Sequence, residues 1–406
     1  MTIQPKTFSE TPHELKTAKA ASGTAVNLKT FMRLDWRQTL VALVREYACI
    51  ATCFVLAISL IGAVSSILVE GALYLVFILV NGALIHRLAL LGHEGSHGCL
   101  AKSQTINDVI AEWLCFFPIF GSLSRYREVH RRHHQYVNIA HQDPNLDYGK
   151  HLWWERHFTS TQRRSYFALH ALLLWPPFIV KQAWDLLRKG SLRAQQDPKL
   201  DRGIPVAARL GIGYVVILVA LVHTDLVWAL IWSLSSLVVC LLLPNNWFPM
   251  TASMAYAPRW TAIMRVAYLA VLLLSLGLAT KISGIDFFHW YFMLWLMPLL
   301  FVFPYLMFLR EAYQHGGAGV SRYDNSRNMQ LDPIRTWAIL AYGNNLHQTH
   351  HLLPSVAHYW LPELDRALNE SDPEYKKMVQ KVSSDGLSLQ AAMYPYLSNV
   401  SKKSDL

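Results

Sequence analysis

Apolar runs too long for a soluble core set what this chain can become. Tyr47 to Val69 and Gly71 to about Leu91 follow one another with only Glu70 and Gly71 marking the break. Each run is about twenty residues, enough for a helix rising 1.5 Å per residue to cross a bilayer. So short a break makes the two runs a helical hairpin. Leu210 to Val222 and Leu226 to Leu243 form a second hairpin around Thr224 and Asp225, its first member short for a span. Ala262 to Thr280 and Phe287 to Leu309 form a third around Lys281 and Asp286. The expected fold is an all-α integral membrane protein of about six transmembrane helices, with four as the alternative if the weakest pair does not cross.

Between the hairpins the chain is polar and basic. From about Gly92 to Arg209 it carries a long series of Arg and Lys, broken by two short apolar pieces, Trp113 to Leu123 and Ala168 to Val180. Both pieces are expected to lie along the membrane interface as helices. Counting crossings puts the three polar regions on one side, and Lys281 is the only basic residue in the short turns opposite. The positive-inside rule assigns the polar side to the cytoplasm. Only 16% of the residues are charged, and the net charge of +10 gathers beside membrane segments. That placement argues against nucleic-acid binding and for an acidic protein partner or anionic lipid. Residues 1–35 contain no signal peptide and are expected to be a flexible cytoplasmic arm. Residues 36–365 are the expected membrane domain, and 366–406 a cytoplasmic tail. The five cysteines form no CxxC pair, so neither a disulfide framework nor an iron–sulfur site is indicated.

Eight of the 18 histidines fall into three clusters. His93 and His97 sit in HEGSH, His130, His133 and His134 in HRRHH, and His347, His350 and His351 in HQTHH. Residues at i, i+3 and i+4 share a helix face, so HxxxH aims two imidazoles one way and HxxHH aims three. At this histidine content a chance HxxHH arises in roughly 3% of such chains, and two arise far more rarely. A zinc site takes no more than four ligands. Eight imidazoles without thiolates therefore suggest two redox-active metals, a di-iron centre that uses O2. One motif competes. His93-Glu94-Gly95-Ser96-His97 also satisfies HExxH, in which Glu94 would serve a zinc hydrolase as general base; six clustered histidines then go unused.

In order, spacing and topology the three clusters resemble the membrane fatty acid desaturase and hydroxylase superfamily. The resemblance extends to Asn138, to QDPN at residues 142–145 and to HQTHHLLPSVAHYWLPEL from His347 to Leu364. It implies a ninth ligand, for which His315 in REAYQHGG is the candidate, with Glu311 one turn before it as a partner beyond the ligands. Glu94, Asp143, Asp147 and Asn345 are candidates to orient ligand imidazoles. It also implies O2 as co-substrate, two Fe ions as cofactor and no catalytic residue beyond the ligands. Desaturation of a lipid acyl chain is the leading expectation. Hydroxylation or ketone formation on an apolar, carotenoid-like substrate is the alternative, because Glu94 and Gly95 depart from the commoner Asp-containing first cluster. No fused cytochrome b5 domain is expected, and electrons are expected from a separate protein such as a ferredoxin. The expected location is a bacterial inner membrane, with the site on the cytoplasmic side.

Overall fold

The computed structural model describes residues 28–139, 141–145, 203–248, 253–315 and 318–383. It is mostly helical, with one two-stranded parallel pair among the described residues. Helix α1 (Trp36–Gly62) begins where the Asp35 side chain accepts the N–H of Arg37. Leu43, Ile50, Cys53, Ala57 and Ile61 form its buried stripe at helical spacing, whereas Val41, Val44, Val55 and Leu60 are exposed. Helix α2 (Ile67–Ser96) is exposed in its first turns and almost continuously buried from Asn81 to Ser96. Leu68 is 83% exposed and Ile67 is 80% exposed. Apolar surface of this extent suits lipid and not water.

Helix α3 (Gln104–Ala111) continues through a π turn (Glu112–Phe116) and a 3-10 turn (Phe117–Ile119), then bends by 95° into α4 (Leu123–Gln135). In the apolar piece from Trp113, Cys115, Phe116 and Phe117 are buried against protein while Leu114 and Phe120 stay exposed. Glycines on α2 allow this burial. A Cβ at Gly95 would stand 2.6 Å from Ala111 Cβ, and one at Gly92 3.2 Å from Cys115 Cβ. Only bare backbone lets the second segment come this close. The other apolar piece, from Ala168 to Val180, lies outside the described residues.

Helices α5 (Gly203–Thr224) and α6 (Leu226–Leu242) pack on α7 (Pro258–Ser283) through Tyr214, Leu218, Val222, Ala229 and Leu273. Helix α8 (Phe287–His315) completes the bundle, with a π turn at Phe292–Leu296. Trp295, inside that turn, donates from its indole N–H to the Pro118 carbonyl at 2.8 Å and ties α8 to the bent segment. Among the described residues four helices, α1, α2, α7 and α8, have the length and apolarity to cross a membrane, and the bent α3–α4 pair would make a fifth. At 17 residues α6 reaches about 26 Å, short of the ~30 Å hydrocarbon core.

The polar C-terminal part begins with strand β1 (Arg327–Gln330) and helix α9 (Pro333–Ile339). Helix α10 (His347–Leu352), α11 (Leu361–Ser371), α12 (Pro373–Met378) and β2 (Gln380–Ser383) follow. Strands β1 and β2 pair in parallel, a small departure from an all-helical fold. Residues 366–383, assigned by the sequence alone to a tail, thus form part of the folded unit. A buried ionic group docks this part on the bundle. Glu46 of α1 accepts from Arg87 of α2 at 2.6 and 2.8 Å and from the Tyr342 hydroxyl, while Arg87 also donates to the Trp337 carbonyl.

Candidate metal centre

The C-terminal end of α2 presents the first cluster in a fixed geometry. His97 is the C-cap, and Gly98 follows with φ +77°. The Cys99 N–H bonds to the Glu94 carbonyl at 3.0 Å and the Gly98 N–H to the Gly95 carbonyl at 3.2 Å, the paired closure in which a left-handed glycine ends a helix. Arg127 of α4 supplies further donors. Its guanidinium reaches the Gly95 carbonyl at 3.1 Å and the Ser96 carbonyl at 3.0 Å while pairing with buried Asp108 at 2.6 and 3.2 Å. One side chain therefore joins the end of α2 to the helix carrying the second cluster, and a cation there suits a helix C-terminus.

The third cluster sits on α10, reached through Tyr342 and Gly343, both with positive φ. Gln314 of α8 donates to the Asn344 carbonyl at 2.9 Å. Behind α10, Asn328, Thr349, Asp365 and Tyr375 share buried hydrogen bonds of 2.5 to 3.2 Å. These groups fix the helix on its far side, so its histidines face the bundle.

Among the described residues nine histidines meet in two groups. His93, His97, His130, His134 and His350 form one; His133, His315, His347 and His351 form the other. In each group the ring nitrogens lie within 4.8 Å of one another, close to the span of ligands around a single ion at bond lengths of about 2.1 Å. The HxxHH clusters divide between the groups by helix geometry. His130 and His134, four apart, go to the first and His133 to the second. His347 and His351, four apart, go to the second and His350 to the first.

The donor set fits metal ions. His133 Nδ1 lies 2.9 Å from Asp143, and His315 Nδ1 lies 3.1 Å from the Asn325 carbonyl. With those N–H groups committed, the Nε2 lone pairs face inward. Nε2 atoms face each other at 2.9 to 3.1 Å in the pairs His97–His130, His130–His134, His315–His347 and His347–His351. His93 Nε2 and His350 Nε2 are buried without a hydrogen bond. Converging, buried, unpaired lone pairs need a cation. Burial also keeps the rings neutral, as ligands must be: it holds His97 down to about 3, and burial with neighbouring rings holds His347, His350 and His351 well below the usual histidine value.

The outer candidates separate. Asp143 joins the site: burial opposes its charge, but His133 and the Asn138 N–H hold it below the usual carboxylate range. It also accepts the Asn145 N–H, and Asn145 donates to Glu311 at 3.1 Å. Glu311, paired with Arg310 at 2.8 Å, is thereby linked to the second group. Glu94 accepts the His358 N–H at 2.8 Å and stands 3.6 Å from His93 Nδ1. It is engaged at the edge of the ring and does not stand free as a general base. Asn345 takes another place: its amide donates to the Met329 carbonyl at 3.5 Å and its carbonyl accepts the Met329 N–H, because residues 344–346 run beside β1 and not in a helix. Asp147 lies outside the described residues.

Sequence spacing did not reveal Arg127, Asn325 or His358. Asn138 is quoted in the resemblance, and the structure gives its work: its amide donates to the carbonyls of Gly319 and Asn325, joining the end of α4 to the turn after His315.

Comparison with known proteins decides the family. The fatty acid desaturase family model matches residues 70–252 and 247–382. The chain belongs to the fatty acid desaturase family. All nine clustered histidines lie inside the matched residues. A relative, dihydrorhizobitoxine desaturase of Bradyrhizobium elkanii, is 22% identical over 341 residues, spanning 82% of this chain and 76% of its own length. The protein is therefore an oxidoreductase of desaturase/hydroxylase type with helices fit to cross a membrane.

Proposed function

We propose that this protein is an O2-dependent di-iron desaturase that introduces a double bond into a lipid acyl chain. The observation that carries the reading is the pair of buried histidine groups with inward-facing lone pairs. His93, His97, His130, His134 and His350 would hold one iron, and His133, His315, His347 and His351 the other. Iron bound there would supply O2 activation and the removal of two hydrogens from neighbouring methylenes; with two electrons and two protons the products are an alkene and two waters.

The chain's own residues position and exclude. Asp143 and the Asn325 carbonyl fix the tautomers of His133 and His315. Glu94 stands beside His93 of the five-histidine group, and Glu311 joins the four-histidine group through Asn145 and Asp143. The packed ends of α2, α4 and α10 keep bulk water from the centre, and apolar helices around it suit a long-chain substrate. Electrons come from a separate carrier of ferredoxin type. The site works on the cytoplasmic side of a bacterial inner membrane, where the basic polar regions lie.

Desaturation stands first because the relative carries that activity in its name. Hydroxylation is the second reading, favoured by Glu94 and Gly95 in the first cluster. Lipid analysis of a host expressing the protein beside one expressing His133→Ala tests both. Desaturation predicts products two mass units lighter, hydroxylation products sixteen heavier, each absent from the variant. Identical lipid profiles in the two hosts would overturn the acyl-lipid assignment.

A further inference from the structure

We propose that His358 is a positioning residue for His93, acting through Glu94, so that it governs one metal site and not the other. The proposal rests on the reading of the two histidine groups as iron sites.

Glu94 is 2% exposed, and a carboxylate so buried needs partners. One oxygen accepts the His358 backbone N–H at 2.8 Å and lies 3.4 Å from His358 Nδ1. The other lies 3.6 Å from Nδ1 of His93. Neither ring nitrogen of His93 has a hydrogen bond. A histidine that coordinates through one nitrogen is oriented by an acceptor for the N–H of the other, and Glu94 is the carboxylate in reach of that nitrogen. A carboxylate turns about its own bond unless its far oxygen is held. The backbone and ring of His358 hold it from two directions.

His358 is itself held. It opens the short turn His358–Trp360 after Ala357, and its ring stands edge-on to Tyr342 at 5.0 Å and 82°. Tyr342 in turn donates to Glu46, which Arg87 grips. The contact between residues 94 and 358 thus reaches across 264 positions of chain and ends on a rigid ionic group. His93 belongs to the five-histidine group alone, which makes the expected effect selective.

The test uses the full chain in detergent, loaded with ferrous iron and challenged with a graded chelator, with Mössbauer spectra of each sample. His358→Phe keeps a flat ring against Tyr342 and removes the ring N–H; His358→Asn restores a donor near the Nδ1 position. His358→Phe should weaken one of two sites about 10–100-fold, so that iron falls toward one per chain where wild type keeps two. The spectrum of one iron should change while that of the other stays, and His358→Asn should recover the second iron. Two irons with an unchanged spectrum in His358→Phe would overturn the proposal, as would equal loss from both sites, the mark of a general structural role. If wild type itself takes up no iron, the di-iron reading falls and the proposal with it; wild type at two and an unaffected variant sinks the proposal alone.

Discussion

At the scale of single residues, the centre depends on groups that carry no metal ligand. Asp143 accepts from His133, from the Asn138 N–H and from the Asn145 N–H, so its loss frees a ligand ring and two loop donors at once. Asp143→Ala should weaken iron retention about 10–100-fold in chelator competition, and retention equal to wild type would count against this role. A pH dependence follows from the depressed histidines. His97, His347, His350 and His351 stay neutral in the fold, while in the unfolded chain they take up protons near the ordinary value of about 6.5. The unfolded state therefore binds more protons as pH falls, and stability is complete above about pH 6.5 and declines below it toward about 3. Melting temperature and retained iron, followed from pH 8 to pH 4, should both fall only in the acid half; a flat profile would contradict it. The eight clustered histidines were legible because i, i+3 and i+4 spacing is a local code. His315 came from the family resemblance, as an isolated histidine has no such code. His358 stood in the quoted stretch His347–Leu364 without an assigned role, because its contact with Glu94 is one that only the folded chain creates.

At the scale of elements, the ends of helices matter more than their middles. The end of α2 is closed by Gly98, contacted by Ala111 of α3 and crossed by Arg127 of α4. Arg127→Leu would leave Asp108 buried without its cation and the Ser96 carbonyl without the Arg127 donor, while the Gly95 carbonyl keeps the Gly98 N–H and the Asn107 amide. Breaking one side of such a pair costs about 3–5 kcal/mol. The variant should melt well below wild type in detergent and lose iron from the five-histidine group first; an unchanged melt would show that the clamp is dispensable. The long spans were readable from apolar length. The π turn after α3 was not, because Trp113 to Leu123 has the composition of an interfacial helix, and the glycines of α2 let part of it pack inward. The α5–α6 hairpin was readable as apolar but its depth was not, since α6 falls a few residues short of a full crossing.

At the scale of the whole molecule, two of the four membrane-length helices among the described residues, α2 and α8, meet α4 and the polar C-terminal part at one centre. Clusters more than two hundred residues apart in sequence meet because α2, α4, α8 and α10 end at the same place. That convergence was foreseeable from topology, which put the three clusters on one side. The division into groups of five and four was not, since it depends on the rotation of each helix about its axis. The central claim is that these nine imidazoles hold two irons. Metal analysis of the detergent-purified full chain, paired with His315→Ala, tests it most directly. The account predicts about two irons per wild-type chain and a loss confined to one site in the variant; a single zinc per chain, untouched by that substitution, would contradict it.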